Sequence, residues 1–265
     1  MSPSPETPDP TDQTASEPTP LLAARGLGCI RGERRIFANL SFSLHPGEAR
    51  LLIGPNGSGK TSLLRVLALL SPPATGEILL KGEPAQDDPE EYAGAVRYLG
   101  HADAIKPVLS VRENVSFWAR LLNGTEAHVE DALERFDLKA LADLPGRMLS
   151  AGQKRRTNLA RLVAAPAPIW LLDEPTTALD RKSIGLLEGE LARHRAEGGC
   201  VMLSTHQAVA LPGAEDLDMS LYSLTGEAAY AVLSDLDGPS REPSRDDGFD
   251  DQDDDEDAQG WEALR

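Results

Sequence analysis

The run Gly54-Pro55-Asn56-Gly57-Ser58-Gly59-Lys60-Thr61 fits the pattern G-x-x-x-x-G-K-[ST], and each of its parts suits a polyphosphate. Its glycines let backbone N–H groups converge on phosphate oxygens, and the start of a following helix adds favourable partial charge there. Lys60 has the reach and charge for β- and γ-phosphates, while Thr61, followed by Ser62, offers a hydroxyl to Mg²⁺. Far along the chain the apolar run Ile169-Trp170-Leu171-Leu172 delivers two carboxylates, Asp173 and Glu174. Side chains alternate along a strand, so these acids point differently and can hold separate jobs. Asp173 would hold Mg²⁺, usually through water, and Glu174 would take the proton from an attacking water. Alone, such a pair could equally be a solvated strand end; the glycine-rich loop upstream favours the chemical reading.

Two further groups bear on the same chemistry. Leu149-Ser150-Ala151-Gly152-Gln153 precedes Lys154, Arg155, Arg156 and Arg161. Its plain reading is a capping box, with the Ser150 hydroxyl and the Gln153 amide each bonding the other's backbone N–H. Its functional reading is a second anion-binding helix start, since Ala151 and Gly152 leave the backbone open to a phosphate. His206 follows the apolar run 200–204, on the sheet edge expected for Asp173. A lone histidine there is usually structural; in this company a contact to a γ-phosphate is the better reading.

Each of these groups needs a strand or helix end to hold it. Pro46-Gly47 and the run 49–53 read as a turn and a buried strand, and 60–70 as a leucine-rich helix stopped by Pro72-Pro73. Short apolar stretches broken by Gly26, Gly28 and Gly32 over 21–44 suggest antiparallel strands and turns. Further strands are expected at 77–81, 96–99, 169–172 and 200–204. Helices are expected at 110–122, opened by the capping box Ser110-Val111-Arg112-Glu113, in two stretches within 126–142, and at 151–165 and 180–196. Strands alternating with helices predict an α/β fold with a mostly parallel sheet covered on both faces. Such sheets bind ligands at the C-terminal ends of their strands, where Asp173 and Glu174 fall.

The chain of 265 residues carries a net charge of -17, but the ends hold most of it. Residues 1–20 contain six prolines and four acids with no Lys or Arg; residues 235–265 contain thirteen acids against Arg241, Arg245 and Arg265. Both are too polar to bury a core and read as disordered tails. They account for -4 and -10, leaving -3 for a single near-neutral domain over 21–234. Nothing in that balance points to nucleic acid as a partner. Cys29 and Cys200 lack metal-ligand spacing with each other or with the five histidines, which argues against a zinc site or disulfide framework and fits a reducing cytosol. No apolar run approaches the ~20 residues that span a bilayer, and the start lacks a signal-peptide pattern. Direct membrane insertion is therefore not expected, and action at a membrane would need spans on another chain.

In order and type, these motifs resemble the ABC transporter ATPases over residues 21 to about 225: phosphate loop, signature 149–153, acidic strand end, Thr177-Ala178-Leu179-Asp180 as the D-loop, then His206. The resemblance implies a P-loop NTPase of ABC type with an antiparallel β part and a helical subdomain at about 105–165. It implies ATP and Mg²⁺ as cofactors and Lys60, Glu174 and His206 as catalytic residues. It also implies a head-to-tail homodimer in which Ser150 and Gly152 of one subunit complete the ATP site on the phosphate loop of the other. Where most members carry a Q-loop glutamine this chain has His101, whose imidazole suits a water or a partner group better than Mg²⁺; a surface histidine with no role is the other reading. The aromatic that stacks on adenine falls near Arg31, whose guanidinium can also stack on a base.

Within that class the chain is similar to the ATP-binding subunits of c-type cytochrome biogenesis, the heme-exporter branch. The residues that carry this are Tyr98-Leu99-Gly100-His101, the signature with Arg155-Arg156 and Leu159-Ala160-Arg161-Leu162, Trp170 to Pro175, and Ser204-Thr205-His206-Gln207. That branch implies a translocase subunit, peripheral on the cytoplasmic face of the bacterial inner membrane and docked on a multi-spanning permease. ATP hydrolysis there drives heme delivery or release of a heme chaperone. Phe117 and Trp118, in the stretch 110–122, lie where related ATPases receive their membrane subunit; a core helix is the plain reading of the same residues. The alternatives are the ATPase of another importer or exporter, for drugs or lipids, a soluble ABC protein of translation or DNA repair, and a non-hydrolysing interaction module. Fused second domains or a coiled-coil insertion would mark the second, and loss of Lys60, Asp173 or Glu174 the third.

Overall fold

The computed structural model describes residues 19–224. Nearly all of the proline-rich segment expected over 1–20, residues 225–234, and the acidic tail expected over 235–265 lie outside the described residues. β1 (Leu22–Arg31) and β2 (Arg34–Leu44) form an antiparallel hairpin, as the glycine-punctuated pattern predicts. β3 (Ala49–Ile53) then leads through the phosphate loop into α1 (Lys60–Leu67). The helix ends earlier than the prolines suggest, because Leu69 turns into positive φ (54°) ahead of Pro72. β4 (Thr75–Leu80) pairs antiparallel with β1, and β5 (Glu83–Pro84) extends that sheet to the order β2-β1-β4-β5. α2 (Pro89–Ala95), capped by Asp88 with proline in its first turn, precedes β6 (Val96–Leu99).

α3 (Val111–Leu121) opens on the expected capping box: Ser110 Oγ accepts from Glu113 N–H at 3.1 Å and Glu113 Oε2 from Ser110 N–H at 2.7 Å. α4 (Glu126–Arg135) follows, but the second helical stretch expected before 142 is only a 3₁₀ turn at Lys139–Leu141, since Asp137 breaks the helix with φ of 54°. α5 (Ala151–Ala164), β7 (Ile169–Asp173), α6 (Arg181–Ala196), β8 (Cys200–Ser204) and β9 (Glu215–Asp218) complete the described order. The second sheet is parallel throughout, in the order β6-β7-β8-β3-β9. Its outermost strand, β9, has only Leu217 buried and gives no apolar signal in sequence.

Period-two alternation divides the core in two. Ile169 and Leu171 of β7, with Cys200 and Met202 of β8, face the antiparallel sheet and the Leu63, Leu64 and Leu67 stripe of α1. Trp170 and Leu172, with Val201 and Leu203, face the opposite way onto Leu187 and Leu191 of α6 and join Leu159 and Leu162 of α5 and Val115 and Ala119 of α3. Each fully buried leucine contributes about 1.5–3 kcal/mol, so both faces of the sheet are firmly held.

On the second face Trp170 stacks on His194 of α6, with ring centroids 3.9 Å apart. Burial holds the His194 imidazole below its ordinary pKa. The unfolded chain therefore takes up a proton there at a higher pH than the native chain. Stability present above about pH 6.5 is lost as pH falls below it towards the folded value. Melting temperature is expected to decline from pH 7 to 5, and His194→Phe, which keeps a ring in the stack, should flatten part of that slope. An unaltered slope in the variant would assign the acid sensitivity to other groups.

Candidate functional site

β3 hands the chain to a loop that must turn into α1 at once, and two glycines allow it. Gly54 has φ of 129° and Gly59, the residue capping α1, has φ of 102°, a region open to glycine. A Cβ on Gly59 would lie 2.8 Å from Ile36 Cγ2, so the β1–β2 hairpin presses on the loop through Ile36 and Phe37. Lys60 is 8% exposed, and its ammonium folds back over the loop to donate to the carbonyls of Gly54 (2.7 Å) and Pro55 (3.1 Å). Pro55, Asn56 and Gly57 face solvent, Ser62 is buried, and Ser58 Oγ is buried with no hydrogen-bond partner. A phosphate oxygen would satisfy that hydroxyl, and no acid sits in the first turn of α1 to compete with an anion. The loop therefore fits a polyphosphate on its own chemistry.

Alternation along β7 sends Asp173 to the α1 side of the sheet, the side of Ile169 and Leu171. There its carboxylate, 1% exposed, accepts from Thr61 Oγ1 at 3.1 Å and from Ser204 Oγ at 2.7 Å. Thr61 and Asp173 thus place two hard oxygens beside the loop, a donor set that suits Mg²⁺. Ser204, quoted in sequence only for its place before His206, is a residue whose contact with Asp173 sequence reading did not assign. The pairing of Asp173 with Ser204 in the β7–β8 register is what brings it in, and that register could have been drawn from the two apolar runs.

Glu174 leaves the strand with φ of 50°, a left-handed conformation uncommon for a residue with a side chain. Its N–H donates to Ser204 O at 3.0 Å. Its carboxylate meets His206 twice, at 3.4 Å to Nε2 and 3.3 Å to the backbone N–H. The structure thus brings Glu174 and His206 together at the strand ends beside Asp173; the sequence placed His206 on that edge but did not pair it with Glu174.

Ser150 does what the capping reading says: its Oγ accepts from Gln153 N–H at 3.2 Å and its N–H donates to Gln153 Oε1 at 2.9 Å. Gly152 has a reason of its own to be glycine, because a Cβ there would lie 2.9 Å from the carbonyl of Ala178. Both stand at the start of α5 and make no hydrogen bond to the phosphate loop of their own chain among the described residues. His101 is exposed, and its imidazole makes no hydrogen bond to Thr61, Asp173 or Glu174 among the described residues. Arg31 is exposed at the hairpin end, paired with Arg34 and beside the Cys29 thiol. Arg155, read from sequence as part of a cationic helix and of the family resemblance but given no role, is 2% exposed beneath the Glu174 turn. Its signal was its phase, since it shares a helix face with Leu159 and Leu162.

A family profile described as ABC transporter matches residues 37–177. The chain is 62% identical over 203 residues to the cytochrome c biogenesis ATP-binding export protein CcmA of Rhodospirillum rubrum, covering 77% of this chain and 87% of that protein. It is 56% identical over 210 residues to the protein of the same description from Paramagnetospirillum magneticum, covering 78% and 97%. Among solved structures, an ATP-binding subunit of an ABC transporter matches with a TM-score of 0.65 at 26% identity, covering 70% of this chain and 79% of that one. A dimeric ATP-binding cassette in a post-hydrolysis state, bound to ADP and Pi, matches with a TM-score of 0.61 at 25% identity, covering 70% and 88%.

Proposed function

Because the chain belongs to the ABC transporter ATPase family, we propose that it is the ATP-hydrolysing subunit of a complex in c-type cytochrome biogenesis, coupling hydrolysis to heme delivery or to release of a heme chaperone at the membrane. One observation carries the reading: a chain this similar to two CcmA proteins holds the Lys60 loop, the Thr61–Asp173 pair and the Glu174–His206 pair at one sheet edge. The loop takes the triphosphate, with Lys60 exchanging loop carbonyls for phosphate oxygens. Thr61 and Asp173 would hold Mg²⁺, Asp173 through water, and the ion would supply charge neutralisation to the phosphates. Glu174 takes the proton from water, and His206 orients the carboxylate and contacts the γ-phosphate.

The same reading makes the subunit a translocase component that pairs head-to-tail with a second copy, Ser150 and Gly152 of one completing the site of the other. A dimeric structural neighbour bound to ADP and Pi supports this. No helix among the described residues is long and apolar enough to cross a membrane, so the spans would belong to a permease partner, with this chain peripheral on the cytoplasmic face of the inner membrane.

The test is a strain whose sole copy carries Lys60→Ala, which removes the phosphate-facing charge. It should lose covalently attached heme from its c-type cytochromes while b-type cytochromes persist, because both need heme synthesis but only the first need attachment. Heme staining of denaturing gels reads this, as only covalent heme survives them. Normal c-type staining, with the variant shown to be inactive as an ATPase, would reject the heme role and leave another importer or exporter ATPase, for drugs or lipids, in its place.

A further inference from the structure

Arg155 has no assigned part in the chemistry, yet it is the most fully committed side chain near it. Its guanidinium is 2% exposed and lies between three segments. Towards β7 it donates to the carbonyls of Asp173 (3.2 Å), Glu174 (2.6 Å) and Pro175 (3.0 Å). Towards the segment after β6 it donates to Gly100 O (3.0 Å) and His101 O (3.4 Å), and it forms an ion pair with Asp103 at 3.2 Å. Its own backbone belongs to α5, two residues beyond Gln153 of the cap. A buried cation is costly unless paired and fully bonded, so its presence calls for a role that an apolar side chain would not fill.

The feature it supports is the strained one. Glu174 sits at positive φ, a conformation costing about 1–3 kcal/mol that persists only where surroundings over-determine it. Ser204 grips the N–H of this residue and Arg155 its carbonyl, so the peptide units on both sides of the Glu174 Cα are fixed. The direction of the carboxylate follows from that grip. The same guanidinium grips the Gly100–His101 carbonyls, so α5, the loop after β6 and the catalytic turn share one rigid joint.

We infer that Arg155 is a positioning residue for hydrolysis: it sets the pose of the Glu174 carboxylate and ties that pose to the loop bearing His101. The inference deepens the proposed function and rests on its reading of Glu174 as general base. Displacing a reacting group by ~1 Å costs on the order of 10²-fold in rate. Lysine keeps the charge but, as a point donor, cannot fork to carbonyls on two sides.

The experiment is a double-variant cycle on the full-length chain in its purified complex, reading kcat and KM for ATP separately. Arg155→Lys is expected to lower kcat by roughly 10–100-fold with KM within about twofold of wild type. In a Glu174→Gln background the same change should alter the residual rate by less than about twofold, since the group it positions has lost its function. Asp103→Ala, at a partly exposed side chain, should lower kcat by a smaller factor with KM kept, and it carries the cycle alone if Arg155→Lys does not accumulate as folded protein. Equal losses from Arg155→Lys in both backgrounds, or a loss expressed in KM, would overturn the inference. Glu174→Gln hydrolysing within twofold of wild type would instead remove the general-base reading, and Arg155 would have no base to position.

Discussion

Glu174→Gln is expected to bind ATP as the wild type does and to hydrolyse it ~10²–10⁴-fold more slowly, the range that general-base catalysis supplies. An amide oxygen keeps the shape of the side chain and can still accept from His206, whose Nε2 and backbone N–H both face the carboxylate. It cannot take a proton from water at neutral pH. The strained backbone is untouched, since Arg155 and Ser204 hold main-chain atoms of residue 174. The variant should therefore melt with the wild type and retain nucleotide, with the loss confined to turnover. Measured in the assembled complex, steady-state hydrolysis within a factor of two of wild type would remove Glu174 from the role.

Asp173→Asn is expected to be at least as severe, for a different reason. The carboxylate is almost fully buried and accepts from two hydroxyls, Thr61 and Ser204. Asparagine can still accept from both through Oδ1, so the strand end should keep its structure. What it loses is the negative charge and hard anionic oxygen that favour Mg²⁺. Lewis-acid stabilisation by a bound divalent ion is worth several kcal/mol, so the rate should fall by ~10³-fold or more at physiological Mg²⁺. Part of the loss should be recovered as Mg²⁺ is raised, whereas Glu174→Gln should not respond. Turnover within about tenfold of wild type at ordinary Mg²⁺ would make Asp173 a structural acid only.

The residues that speak most clearly in the sequence are those whose chemistry is local. The glycine-rich loop, the acids at the end of β7 and the capping boxes at Ser110 and Ser150 are set by neighbours within a few positions; both boxes form, and the loop and acids lie at the strand and helix ends expected for them. The parallel β6, β7, β8 and β3 follow from their apolar runs. β9 and β5 do not, because an edge strand buries too little to leave a pattern. Long-range roles were the illegible ones. Ser204 matters through strand register, Ile36 through the close approach of a hairpin to Gly59, and Arg155 through three segments that only the folded chain brings together. Gly152 was read as room for a phosphate, and the structure adds a second reason in the carbonyl of Ala178.

The strand order has a consequence for how the chain is made. β3, which carries the phosphate loop, pairs with β8 and β9 and, among the described residues, with no earlier strand. At ~5–20 residues per second of synthesis, β3 leaves the ribosome roughly 8–30 s before β8 exists to pair with it. Throughout that interval the loop lacks the sheet that aims it, and Asp173 and Glu174, once translated, still lack Ser204 and His206 until β8 follows. A nascent chain is thus unable to spend ATP until nearly its whole domain has been translated, and truncated products of a stalled ribosome carry the phosphate-loop sequence without the hydrolase.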